Sequence, residues 1–169
     1  MSKEVIVVRG NSTLTGEVRI AGAKNSALKL MAATLLGQGP STLHNVPVIS
    51  DIEIMSEVLT TLGASVERDG HDLFIDTAAV DRCVTPYELV SKMRASISVL
   101  GPLIGRFGAA RVAMPGGCQI GARKIDMHLV GLEMLGVKFD VDHGVLIAST
   151  PNGLTGAHVV LEFPSVGAT

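Results

Sequence analysis

The sequence predicts a mixed α/β (α+β) domain, and two observations carry that prediction. Stretches with strand and helix character alternate along the chain. A unit of amphipathic helix, Leu-Gly stop, strand, tight turn and strand occurs twice, over residues 55–75 and again over 127–147. Duplicated units that cannot bury a face alone stack on one another, so similar subunits should pack around shared helices. A doubly wound nucleotide-binding sheet does not follow. No G-x-G-x-x-G opens a helix after the first strand, and no G-x-x-x-x-G-K-[ST] loop is present.

The elements follow in order. Residues 5–8 and 14–20 read as strands divided by the turn residues Gly10-Asn11-Ser12. Residues 23–36, rich in Ala and Leu, read as a helix that Gly37-Gln38-Gly39-Pro40 ends. A strand over 41–46 precedes a second helix over 51–62, with Asp51 as its N-cap and Gly63 as its stop. Residues 64–68 and 73–76 form a hairpin through Asp69-Gly70. Pro86 opens a third helix that runs into Met93-Arg94-Ala95, and Gly101-Pro102 breaks or kinks the pattern before Arg106. In the second copy of the unit, His143-Gly144 supplies the hairpin turn.

Composition narrows the class. The 169 residues suit one domain. Hydrophobic residues make up 47% but aromatics only 3%, with no Trp, so Val, Ile, Leu, Ala and Met must build the core. Fourteen Lys+Arg against 16 Asp+Glu give a net charge of −2, which offers no basic face for nucleic acid, and stacking platforms are scarce. Mean hydropathy is high at +0.42. Yet the uncharged stretch 95–105 is interrupted by Gly101-Pro102 and falls short of the about 20 apolar residues that span a bilayer. The N-terminal residues lack the apolar region and cleavage site of a signal peptide. Cys83 and Cys118 have neither metal spacing nor a disulfide pattern, and a reducing cytoplasm is the simplest setting. The five histidines, His44, His71, His128, His143 and His158, show no metal-ligand spacing, and no metal or cofactor is implied.

The segment with the most chemistry is Arg111-Val-Ala-Met-Pro-Gly-Gly-Cys118-Gln-Ile-Gly-Ala-Arg123. Pro115, Gly116, Gly117 and Gly121 exclude a regular helix or long strand, so an irregular loop is expected. A thiol on such a loop can meet a ligand. Arg111 and Arg123 bring positive charge that stabilises a thiolate and attracts phosphate. The other reading of the same residues is a tight hairpin in which Cys118 is an inert filler. Cys83, after Asp81-Arg82, reads as incidental.

Several motifs occur in one order: Gly22-Ala23-Lys24-Asn25-Ser26-Ala27, Met93-Arg94-Ala95-Ser96, Leu100-Gly101-Pro102-Leu103, Pro115-Gly116-Gly117-Cys118, Ile120-Gly121-Ala122-Arg123 and Phe163-Pro164-Ser165-Val166-Gly167-Ala168-Thr169. Together they closely resemble the UDP-N-acetylglucosamine 1-carboxyvinyltransferase family, the enolpyruvyl transferases of peptidoglycan synthesis. The likeness covers the whole chain. It implies an inverse α/β prism of repeated β-α-β-α-β-β units in two domains. On that plan residues 1–21 are opening strands of the second domain, and 22–169 are the first domain, truncated at its C-terminal end. The resemblance thus implies an N-terminal fragment, inactive alone, whose partner is the missing second domain.

The activity implied is transfer of the enolpyruvyl group of phosphoenolpyruvate to the 3′-hydroxyl of UDP-N-acetylglucosamine with release of phosphate. Carried over by motif, Cys118 is the proton donor, which can also bond covalently to phosphoenolpyruvate. Lys24 and Asn25 contact phosphoenolpyruvate, and their place near a helix N-terminus suits an anion. Arg94 contacts UDP-N-acetylglucosamine. Arg123, Lys124, Ile125, Asp126 and Met127 hold the nucleotide end of that substrate, with Arg123 also reaching phosphoenolpyruvate. Phe163, Pro164, Ser165 and Val166 form a second uridine-side segment, although the family often has a basic residue where Phe163 stands. Two alternatives are an enolpyruvyl transferase with another acceptor, such as shikimate 3-phosphate, and a non-catalytic nucleotide-sugar-binding module.

Overall fold

A computed structural model describes residues 5–11, 13–90, 94–114 and 125–165. The first unit opens with helix α1 (Lys24–Ala33) and a 3-10 turn (Thr34–Leu36), followed by strand β1 (Pro40–Leu43). Helix α2 (Ser50–Leu62) and the hairpin of β2 (Ser65–Asp69) and β3 (Asp72–Asp76) complete it. Both pairings in this sheet are antiparallel, in the order β1-β3-β2. Leu73 and Ile75 alternate inward on the central strand β3, the period-2 pattern of a sheet with one covered face.

Residues 87–149 repeat the plan. Helix α3 (Tyr87–Val90), a 3-10 helix (Arg94–Val99) and helix α4 (Leu100–Phe107) lead into β4 (Ala109–Ala113). Helix α5 (Asp126–Met134) and the hairpin of β5 (Lys138–Asp142) and β6 (Val145–Ser149) follow. The sheet order is β4-β6-β5, again antiparallel throughout. The two hairpins match residue for residue: Ser65 pairs with Asp76 in one and Lys138 with Ser149 in the other. The same offset makes Gly63 the counterpart of Gly136, and the turns that end the helices are alike. Ala64 N–H donates to Leu59 C=O at 3.0 Å, and Val137 N–H donates to Leu132 C=O at 3.1 Å. Counted back from these glycines, Met55 corresponds to His128, one place later than the sequence repeat suggests.

One apolar core joins the two units. From α1 it takes Ala27, Leu28, Met31 and Ala32, and from α2 Ile52, Met55, Val58, Leu59 and Leu62, a stripe at helical spacing. Leu100, Leu103 and Ile104 of α4 and Leu146 of β6 belong to the same cluster. Each fully buried aliphatic side chain contributes about 1.5–3 kcal/mol before entropy is counted. Arg106 of α4 fastens the units together by polar contacts. Its guanidinium donates to Leu35 C=O (3.2 Å), Gly37 C=O (2.7 Å), Thr77 C=O (2.9 Å) and Val80 C=O (3.1 Å).

Three local expectations are corrected. Residues 5–8 and 14–20 form no strand among the described residues. Their apolar side chains, Val5 at 82% and Ile6 at 93% exposed among them, lie open to solvent. A strand needs a neighbour to bond with, and no described segment runs beside them. Asp51 is not the N-cap of α2. Ile49 takes the extended capping backbone (φ −144°, ψ 154°), and Asp51 falls in the first turn. Gly101-Pro102 does not break the pattern before Arg106 but lies in the first turn of α4, where the missing proline N–H is not needed.

Candidate functional site

The best-defined part of the site lies at the start of α1. Gly22 packs so tightly on the Asn45 backbone that a Cβ at this position would run into the Asn45 carbonyl oxygen. Asn45 itself turns with φ 57°, and the next residue is clamped from the other side. Val46 N–H donates to His71 C=O at 2.7 Å, while His71 Nδ1 lies 3.2 Å from Val46 C=O. The chain reaches Ile49 and enters α2 from this pinned turn. The result sets the N-termini of α1 and α2 side by side, and the Lys24 ammonium meets the Asp51 carboxylate at 2.6 Å. Lys24 is 51% exposed against 29% for Asp51, so the ammonium faces solvent while its partner is partly sheltered. Asn25 is exposed beside it. No acidic residue stands in the first turn of α1, and no side chain caps it. That end therefore offers backbone N–H groups and a cation on one surface, a combination suited to an anion.

The second part is a groove of about 650 Å³ between the 3-10 helix, the start of α4, α5 and residues 159–161. Ile97, Leu100, Met127, Leu132, Val159 and Leu161 are among its walls. Of the sequence-predicted residues Met127 lines it, and two further predicted segments adjoin residues that do. Arg94 begins the 3-10 helix that supplies one wall. Ile125 is buried at 8% exposure and leads into Asp126, whose carboxylate accepts the Met127 N–H at 3.1 Å. Met127 lines the groove itself, and Leu161 sits two residues before Phe163. Phe163 and Pro164 are exposed and Ser165 is half-buried. Helix α1 packs on the 3-10 helix that starts at Arg94.

The groove also marks where the two units differ. His128, Gly131, Leu132 and Leu135 line it, and their counterparts in α2 are Met55, Val58, Leu59 and Leu62, all buried at 0% exposure. The face that fills the core in the first unit is thus an open wall in the second.

Cys118, Arg123, Lys124 and Val166 lie outside the described residues. The described residues on either side of Cys118 are Met114, which follows β4, and Ile125, which precedes α5. Arg111 is exposed on β4, and its backbone bonds to Cys83 C=O and to Thr85 N–H, at 2.8 and 2.9 Å. Cys83 is a half-buried free thiol on that strand-like edge.

Two residues of the site escaped sequence reasoning. Asp51 read as a helix cap, and only the tertiary contact with Lys24 reveals its partner. His128 had no ligand spacing, yet its Nδ1 is buried in the groove wall with no hydrogen-bond partner among the described residues. Its position directly after residues 123–127 was the available signal. Among the described residues no group of His, Cys, Asp or Glu could hold a metal ion, and no described helix is long and apolar enough to cross a membrane.

Comparison with known proteins agrees with this architecture. A UDP-N-acetylglucosamine 1-carboxyvinyltransferase of Synechocystis sp. is 46% identical over 171 residues, 99% of this chain and 39% of the relative. One of Yersinia pestis is 48% identical over 162 residues, 96% of this chain and again 39% of the relative. The chain therefore spans 39% of the length of these curated relatives. Among solved structures, the enolpyruvyl transferase NikO from Streptomyces tendae superposes with a TM-score of 0.71 at 26% identity, over 83% of this chain and 31% of that one. EPSP synthase from Acinetobacter baumannii, at 17% identity and a TM-score of 0.51 over 75% of this chain and 32% of that one, shares the fold. The family model for EPSP synthase (3-phosphoshikimate 1-carboxyvinyltransferase) matches residues 8–169. With nearly the whole chain matched and the duplicated helix-and-sheet units in place, the chain belongs to the EPSP synthase family of carboxyvinyltransferases and has the enolpyruvyl transferase fold.

Proposed function

We propose that the protein carrying this chain transfers the enolpyruvyl group of phosphoenolpyruvate to the 3′-hydroxyl of UDP-N-acetylglucosamine, releasing phosphate. The observation that carries this reading is 46–48% identity, over 96–99% of the chain, to relatives named for that reaction. The reaction is an addition followed by an elimination. The sugar hydroxyl oxygen bonds to C2 of phosphoenolpyruvate, the hydroxyl proton leaves, and C3 gains a proton to become a methyl group. The C2–O bond to phosphate then breaks, and C3 loses a proton to restore the double bond.

In this reading Cys118 delivers the proton to C3 and can bond to C2 as a thiolate. Its pKa must lie near the working pH for both roles. Lys24, Asn25 and Arg123 hold the phosphate and carboxylate of phosphoenolpyruvate. Arg94, residues 123–127 and residues 163–166 take UDP-N-acetylglucosamine. The anion-suited start of α1 supports the first assignment, and the place of Met127 in the groove wall supports the second. Residues 1–21 belong with a second domain that supplies further groups to the reaction, and closure of the two domains aligns the reactants. The product feeds peptidoglycan synthesis in the cytoplasm, and through it cell shape and division. No membrane or nucleic acid takes part.

The test is intact-mass spectrometry of the full-length protein with phosphoenolpyruvate, UDP-N-acetylglucosamine and the epoxide fosfomycin, followed by peptide mapping. Adducts on Cys118 promoted by the UDP-sugar are expected. Labelling at Cys83 only, or none, refutes the role of Cys118. Turnover with shikimate 3-phosphate instead of the UDP-sugar refutes the acceptor.

A further inference from the structure

We propose that Asp51 is a positioning residue for Lys24, holding its ammonium at the start of α1 in the orientation that receives the phosphoenolpyruvate anion. This rests on the functional reading above and adds a residue to it. The contact is short, 2.6 Å between Lys24 Nζ and Asp51 Oδ2, and joins the first turns of two different helices. A lysine head on four flexible carbons samples many rotamers, and a fixed carboxylate selects among them before the ligand arrives. An ammonium has three N–H donors. Asp51 uses one, leaving the others to the half-exposed side of the group.

The frame around the pair is built to keep it. Ile52, next to Asp51, is fully buried in the core, and Ile49 packs against the same cluster. On the other side, Gly22 lies against Asn45, and Val46 is bonded to His71. Asp51 therefore sits on a helix that cannot slide, whereas Lys24 alone would be an unrestrained surface cation. Asp51 touches neither reactant in this scheme. It acts through Lys24.

The experiment uses the full-length protein and compares Asp51→Asn, Asp51→Glu and Lys24→Gln, alone and combined. Asp51→Asn should raise KM for phosphoenolpyruvate about tenfold while kcat stays within about twofold and KM for UDP-N-acetylglucosamine is unchanged, the pattern of lost ground-state binding. Asp51→Glu, which keeps the charge, should recover part of that loss. In a Lys24→Gln background Asp51→Asn should add no further loss. An unchanged KM for phosphoenolpyruvate, equal changes for both substrates, or an undiminished effect without Lys24 overturns the inference. Should Asp51→Asn fail to fold, Asp51→Glu decides: its displaced carboxylate must raise KM for phosphoenolpyruvate selectively, and no change overturns the proposal. Wild-type protein without turnover overturns the functional reading and this inference with it; active wild type with a silent Asp51→Asn overturns this inference only.

Discussion

Gly63 and Gly136 occupy the same place in the two units, each ending its helix in the left-handed region, with φ of 109° and 97°. Their surroundings differ. A Cβ on Gly63 would lie 2.8 Å from the Ala79 carbonyl oxygen, while one on Gly136 would lie 3.3 Å from that of Gly153. The backbone penalty for alanine, about 1–2 kcal/mol, is common to both sites. Gly63 adds the harder clash with main chain, at about 1–3 kcal/mol by analogy with overpacking, whereas Gly153 need give only a little. Urea unfolding should therefore find Gly63→Ala clearly more destabilising than Gly136→Ala. Equal losses would show that the neighbouring turn yields freely.

The open face of α5 makes a second comparison within one molecule. Leu59 is fully buried, and its counterpart Leu132 is a half-buried groove wall. Leu59→Ala should cost about 2–5 kcal/mol, as buried leucine truncations do. Leu132→Ala removes a side chain that already touches solvent and should cost about 1 kcal/mol or less in this 169-residue chain. Comparable losses in denaturant titrations would mean that the groove closes in solution.

Periodicity made the helices, the two hairpins and the duplication readable, because burial of one face leaves a repeating apolar stripe in the sequence. The boundary of α2 was less readable. Ser50 and Asp51 are both good capping residues, and the choice fell to the backbone of Ile49 and to a lysine 27 positions earlier. The β-branched residues of 5–8 and 14–20 have strand character, but pairing depends on a neighbour that local sequence cannot supply. The site was legible mainly through motifs. Lys24 could be placed at a helix start from its own segment. Asp51 could not be linked to it, since that contact joins elements distant in sequence.

Arg106 gives a prediction about how the two units hold together. Its guanidinium spans four carbonyls, those of Leu35, Gly37, Thr77 and Val80, at the end of one unit. A planar fork reaches them in pairs, one nitrogen to Leu35 and Gly37 and the other to Thr77 and Val80. Charged hydrogen bonds contribute about 1.5–3 kcal/mol each at most, and these share one partly solvated donor. Arg106→Met should lower unfolding stability by about 2–4 kcal/mol. Arg106→Lys should restore less than half, because a point charge cannot reproduce the fork. Full rescue by lysine in chemical denaturation would reduce the contact to simple charge.

The last prediction concerns Gly22, which separates stability from alignment. Its close approach to Asn45 has no room for a methyl group, and the obstacle is backbone rather than a side chain that can swing away. Gly22→Ala must push the start of α1 away from the turn that feeds α2. The core residues of α1 begin further along, at Ala27, so most of the helix can stay packed. Stability should fall by about 1–3 kcal/mol, the usual cost of an overpacked contact. The Lys24–Asp51 pair, with Lys24 two residues from the clash, should loosen at once. If the proposed function holds, kcat/KM for phosphoenolpyruvate in full-length protein should drop more than tenfold, on the order expected when a binding group shifts by about 1 Å. Thermal unfolding and steady-state kinetics on the same preparation separate the two effects. A variant with normal kinetics and lowered stability would assign Gly22 to packing, and Lys24 would then owe nothing to the fit between residues 22 and 45.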